Sequence, residues 1–140
     1  MSLIQNIYLD PGLLTQFDDA TDTLNAGAIQ GGDGDGVFYV GTPNAANQLQ
    51  EALDPGINPI VVSIVDATPG ADVEVADIKL AASQVDLASA VAGASLSLGV
   101  TIPGGQAGAK AVWYRWANSE GSGVYTDITL EIVDRIESAI

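Results

Sequence analysis

Carboxylates dominate the chemistry open to this chain. Its 140 residues hold eighteen Asp and Glu, two Lys (Lys79, Lys110), two Arg (Arg115, Arg135), no His and no Cys. Histidine is the usual proton shuttle near neutral pH, and cysteine the readiest nucleophile and soft-metal ligand. Without them a Ser-His-Asp triad, thiol chemistry and a zinc site built on His or Cys are closed. The sharpest local candidate is Gly31-Gly32-Asp33-Gly34-Asp35-Gly36. Alternating Asp33 and Asp35 in a Gly-rich loop could gather hard oxygen ligands around calcium. An EF-hand loop needs a third ligand and a Glu at its twelfth position, whereas this segment runs directly into Val37-Phe38-Tyr39-Val40. It is therefore read as a Gly/Asp turn, with Asp33 and Asp35 a weak metal candidate, and no cofactor is expected.

A second constellation is Trp113-Tyr114-Arg115-Trp116. Side chains alternate along a strand, so Trp113 and Arg115 share one face while Tyr114 and Trp116 share the other. Trp116 with Val112 is assigned to the core. Trp113 and Arg115 are assigned to an interface or an adjacent subunit, since aromatic and Arg side chains anchor protein contacts. For acid/base work no pair of carboxylates is singled out. Gly-x-Ser-x-Gly and Ser-x-x-Lys do not occur, and Gly104-Gly105-Gln106-Ala107-Gly108 lacks the Lys-Ser/Thr ending of a phosphate loop. The expectation is a protein that is not an enzyme.

The elements that would position these groups are strands. Apolar residues make up 47% of the chain, too many for disorder. β-branched or alternating runs recur at 37–40, 59–65, 77–81, 96–102, 111–116 and 124–132, separated by Gly/Pro turns. In the last run Val124, Thr126, Ile128, Leu130 and Ile132 line one face, with Tyr125 on the other. Asn44–Leu53 is ambiguous: propensity favours helix between Pro43 and Asp54-Pro55-Gly56, but the run is short and poorly amphipathic. Residues 1–36 read as an extended N-terminal arm, with one short helix possible from Pro11, ending in the Gly/Asp-rich loop. Leu13, Leu14 and Phe17 are the arm's candidate partner contacts. Residues 37–140 read as one all-β domain, an immunoglobulin-like antiparallel β-sandwich. Loss of residues 1–30 is expected to leave that domain folded.

The formal charge of −14 disfavours nucleic acid, whose phosphates are bound by Lys and Arg, and disfavours anionic membrane surfaces. No run approaches the twenty or so apolar residues of a membrane span, and no signal peptide is visible at the start.

From Val37 to Ile132 the chain resembles a group of small tailed-bacteriophage virion proteins. The resemblance rests on ordered phrases: Phe38-Tyr39-Val40-Gly41-Thr42-Pro43; Asp54-Pro55-Gly56 followed by Pro59-Ile60-Val61-Val62-Ser63-Ile64; and Ala76-Asp77-Ile78-Lys79-Leu80-Ala81. It continues through Ala90 to Gly93 into Leu96-Ser97-Leu98-Gly99, Gly104-Gly105 before an aromatic/basic strand, and Thr126-Asp127-Ile128-Thr129-Leu130. The first 30 residues fall outside it. It implies a β-sandwich virion structural protein similar to capsid decoration or cement proteins, bound to the major capsid protein on the outer shell and able to form homo-oligomers on the lattice. It carries over no catalytic residue. The alternative is a tail or fibre adhesion module that binds host glycan through Trp113 or Tyr125.

Overall fold

The computed structural model describes residues 3–18, 32–66, 75–118 and 128–140. Among them eleven strands form three antiparallel sheets, so the fold is all-β. The largest sheet has five strands: β1 (Leu3–Tyr8), β2 (Gln16–Asp18), β3 (Gly32–Val40), β6 (Ile78–Ala81) and β9 (Lys110–Asn118), in the order β2-β1-β3-β9-β6. A second sheet orders β5 (Val61–Asp66), β7 (Leu96–Ser97) and β10 (Ile128–Ile132) as β10-β5-β7. The third orders β4 (Asn47–Glu51), β8 (Thr101–Pro103) and β11 (Arg135–Ala139) as β11-β4-β8. One apolar cluster draws on all three: Phe38, Val40, Ile78 and Val112 from the first, Val62 and Leu130 from the second, Leu49 and Ile102 from the third.

The long β3/β9 pair is the spine of the five-stranded sheet. Nine residues on each side are in register, from Gly32 opposite Asn118 to Val40 opposite Lys110. Cross-strand partners face the same way, so Gly34, Gly36, Phe38 and Val40 share the inner face with Val112, Tyr114 and Trp116. This resolves the Gly/Asp segment, which is strand and not loop. A Cβ on Gly34 would lie 2.1 Å from Trp116 Cζ2, and one on Gly36 would lie 2.3 Å from Tyr114 Cζ. The glycines are required because the two rings lie against the β3 backbone, a close approach that offsets their weak strand propensity. Phe38, Tyr114 and Trp116 follow one another along this face, with ring centroids 6.2 and 6.0 Å apart. Trp116 packs partly buried against the core and Val112 is fully buried, as their alternation indicated.

The described part of the expected arm is also β structure. β1 pairs with β2 on one side and, through Ile7–Val40 and Tyr8–Tyr39, with β3 on the other. Ile7 is 3% exposed and belongs to the core. Asn6 takes a positive φ of 67° where the β1/β2 register shifts, a conformation Asn tolerates better than most residues. No helix starts at Pro11. Asp10 Oδ1 instead accepts from the amides of Leu14 at 3.1 Å and Thr15 at 2.7 Å, closing a tight turn between the two strands. Residues 19–31 lie outside the described residues.

Two further differences have local causes. Asn47–Glu51 is a strand, because it pairs with β11 on one edge and β8 on the other and buries Leu49; pairing on both sides overrides a mild helical propensity. The alternating run 96–102 is two strands in two sheets. Gly99, at φ 94°, breaks it, and Leu98 N donating to Ile60 O with Ile60 N donating to Gly99 O ties the crossing point to the segment before β5. Tyr125 and the first part of the 124–132 run lie outside the described residues; Leu130 is buried and Ile132 packs on the core.

Candidate functional site

The outer face of the five-stranded sheet carries the groups singled out on β3 and β9. Val37, Trp113 and Ala81 form one row of register partners, and Asp35, Arg115 and Lys79 the next. In the second row Arg115 Nε donates to Asp35 Oδ1 at 2.8 Å and Arg115 Nη2 donates to Oδ2 at 3.1 Å, a two-pronged guanidinium–carboxylate contact. Gln84, just before a 3-10 turn at Val85–Ser89, donates from Nε2 to Asp35 Oδ2 at 3.3 Å. The Arg115 hydrogen bonds hold the Asp35 carboxyl below its usual range, against the opposing effect of desolvation, with Gln84 helping. A cation at Asp35 would have to displace the guanidinium. Asp33 stands opposite Ala117 in the same ladder, and its side chain lies outside the described residues. Among the described residues no group of three or more His, Cys, Asp or Glu could hold a metal ion.

Trp113 and Arg115 are both half-buried. Arg115, with its side chain 35% exposed, is committed to an intramolecular partner that is 21% exposed. Replacing Asp35 by Asn leaves a neutral acceptor for Arg115 and is expected to cost under about 1 kcal/mol, since solvent screens so exposed a pair. The loss should shrink further in high salt. Urea titration at low and high ionic strength measures both effects, and a larger, salt-independent loss would show that the pair is effectively buried.

The other anticipated contact residues separate. Leu13, with φ 54°, is 2% exposed and reaches within 3.2 Å of a Cβ placed on Gly41. It packs inside its own chain, where no partner can reach it, because the Asp10 turn folds it inward and Gln106 Nε2 clasps Gly12 O at 3.0 Å. Leu14, next in sequence, points out at 81% exposure. The Phe17 side chain lies outside the described residues.

Sequence reasoning passed over a carboxylate that is buried. Glu51, at the end of β4, is 5% exposed. Its Oε2 accepts from Leu53 N at 3.1 Å, Asp54 N at 2.9 Å and Asn58 Nδ2 at 3.2 Å. The Asp54 and Leu53 amides lower its pKa against desolvation, and Asn58 adds to the effect. Inside the loop, Ile57 N and Asn58 N both donate to Asp54 O. The Asp54-Pro55-Gly56 turn was visible in the sequence, but not the acceptor that clamps it. Outside the clamp, Leu53 is 88% and Ile57 69% exposed.

A carboxyl whose folded pKa is depressed stabilises the fold above its unfolded pKa, and that contribution disappears as pH falls through the folded value. Glu51→Ala should therefore lower the melting temperature clearly at pH 7 and progressively less as the pH drops below the ordinary carboxylate range. Parallel thermal melts of the two proteins from pH 7 to pH 3 test this. A difference that stays constant across that window would show that Glu51 does not act through its charge.

No helix among the described residues is long and apolar enough to cross a membrane. The chain matches no family model, no curated protein and no solved structure.

Proposed function

We propose that this chain is a non-catalytic structural protein of a tailed-bacteriophage virion, a capsid decoration or cement protein that strengthens the outer shell through non-covalent contacts with the major capsid protein. The observation that best supports a contact role is the division of labour among its side chains. Asp35 and Glu51 both have lowered pKa values and are tied to Arg115 and to loop amides. Each favours the ionised state at neutral pH and serves the fold, whereas a general acid needs a raised pKa. Among the polar residues of its short loops the chain also exposes large aliphatic side chains: Leu14, Leu53 and Ile57. Such groups make contacts; they do not move protons.

The same reading takes the two three-stranded sheets together as a second layer over the five-stranded sheet, an immunoglobulin-like sandwich. The shared apolar cluster supports it, because inner-face residues of all three sheets meet there. A small rigid domain of this kind can bridge neighbouring shell subunits, and repetition over a lattice gives avidity from modest individual contacts, with copies of the chain meeting as homo-oligomers where the lattice brings them together. The net charge of −14 suits an outer surface that must stay soluble. Quantitative mass spectrometry of purified virions tests the proposal: the chain should be present in copies comparable to the major capsid protein. A handful of copies per particle, confined to the tail, would sink it in favour of the adhesion module.

A further inference from the structure

The β11-β4-β8 sheet turns Leu49 and Ile102 into the core and leaves its other face at the surface. On that face Ile136, Gln50 and Thr101 stand side by side as register partners, and Gln50 Nε2 donates to Thr101 Oγ1 at 3.1 Å. The clamped loop after β4 folds over this row, since a Cβ on Gly56 would lie 3.3 Å from Gln50 Nε2. Ile57 follows Gly56, and Val100 precedes Thr101. Four exposed aliphatic residues lie within a few chain positions of this row: Ile136 in it, Val100 beside Thr101, Ile57 beside Gly56 and Leu53 earlier in the same loop, at 40, 42, 69 and 88% exposure.

The surroundings of the patch are acidic. Asp54 is exposed in the loop itself, and exposed Asp134 accepts the Ala52 amide through its carbonyl at 2.9 Å, which places it at the loop's flank. Three of the four basic residues, Lys79, Lys110 and Arg115, lie on the five-stranded sheet, and Arg135 is half-buried with Nη1 donating to Val133 O. An apolar patch rimmed by carboxylates repels nucleic acid and anionic lipid. It equally disfavours a second copy of a chain carrying −14. It complements a protein surface of the opposite kind, an apolar patch rimmed by Lys and Arg. The Glu51 clamp fixes the loop beforehand, so docking requires little further ordering.

We propose that Leu53, Ile57, Val100 and Ile136 form a docking surface for a basic-rimmed apolar patch on a partner protein. The surface is defined by this chemistry whether or not the partner is a capsid subunit.

Nuclear magnetic resonance on the isotope-labelled full chain tests it with two synthetic amphipathic helical peptides. Both carry the same Leu face; one is flanked by Lys and the other by Glu. The Lys peptide should shift resonances of residues 50–57, 99–101 and 135–137 saturably, and the Glu peptide should not. Leu53→Asn, which removes the apolar side chain without adding charge, should weaken the Lys peptide at least about tenfold, as loss of an apolar anchor does, with an unchanged melting temperature because Leu53 is almost fully exposed. Ile57→Asn provides an independent second variant. Four results would each overturn the proposal: shifts centred elsewhere, equal binding of the Glu peptide, full binding by both Asn variants, or no saturation by about 1 mM peptide. So would sedimentation showing a dimer that Leu53→Asn dissolves, which would make a second copy the occupant.

Discussion

Gly34→Val is expected to destabilise the fold by about 2–3 kcal/mol, although valine is a far better strand former than glycine. The gain in strand propensity is at most about 1 kcal/mol. Against it stands the Trp116 ring, three of whose atoms lie within 2.8 Å of any Cβ at position 34. The ring cannot withdraw easily, because it stacks toward Tyr114 and packs on the core. Overpacking therefore wins. Trp116→Ala alone should cost about 3 kcal/mol, the low end for a buried aromatic because the ring keeps some exposure. In the double variant the space left by the ring accepts the valine, so the total should be near about 3 kcal/mol and well short of the sum of the single changes. Urea denaturation of the four proteins gives the coupling directly. Simple additivity would mean that Gly34 and Trp116 do not share the space described.

Removing residues 1–18 is expected to unfold the protein or lower its melting temperature severely. The truncation strips β1 and β2 from the edge of the five-stranded sheet, exposes the β3 edge, and removes two nearly fully buried side chains, Ile7 and Leu13. It also removes the Asn6 carbonyl that accepts the Gly41 amide at 3.0 Å. Deleting a buried Ile or Leu side chain costs about 2–5 kcal/mol. Two such losses rival the roughly 5–15 kcal/mol that holds a whole domain together. Ile7→Ala, which leaves β1 in place, should by itself cost about 2–4 kcal/mol by the same reasoning. Circular dichroism melts of both proteins decide the matter: a truncated chain that melts like the full one would restore the arm reading of this segment.

That reversal marks where the sequence stops being informative. Alternation and turn residues placed β5, β6, β9 and the described part of the last run, because each of those strands advertises a buried face in its own residues. β1 carries no such signal: its membership depends on Ile7 reaching Val40, a partner more than thirty residues away. The Gly/Asp segment misled for a related reason. Glycines at 34 and 36 look like loop punctuation until Trp116 and Tyr114 are seen lying against them, and Asp35 looks like a metal ligand until Arg115 is found opposite. The face assignments on β9 were legible, since they need only the strand period. β11 and the Glu51 clamp were not, because a strand of Arg135-Ile136-Glu137-Ser138-Ala139 has little alternation and a lone Glu before a turn announces nothing.

The proposed virion role is tested most directly by shells that lack the chain. Particles made without it should bind the purified full-length protein saturably, at a fixed ratio to the major capsid protein, and should then release their DNA only at a higher temperature than undecorated particles. Sedimentation of shells titrated with the chain gives the ratio, and thermal release gives the stabilisation. Absence of saturable binding, or binding of a few copies at the tail with no change in thermal release, would contradict a role in strengthening the shell.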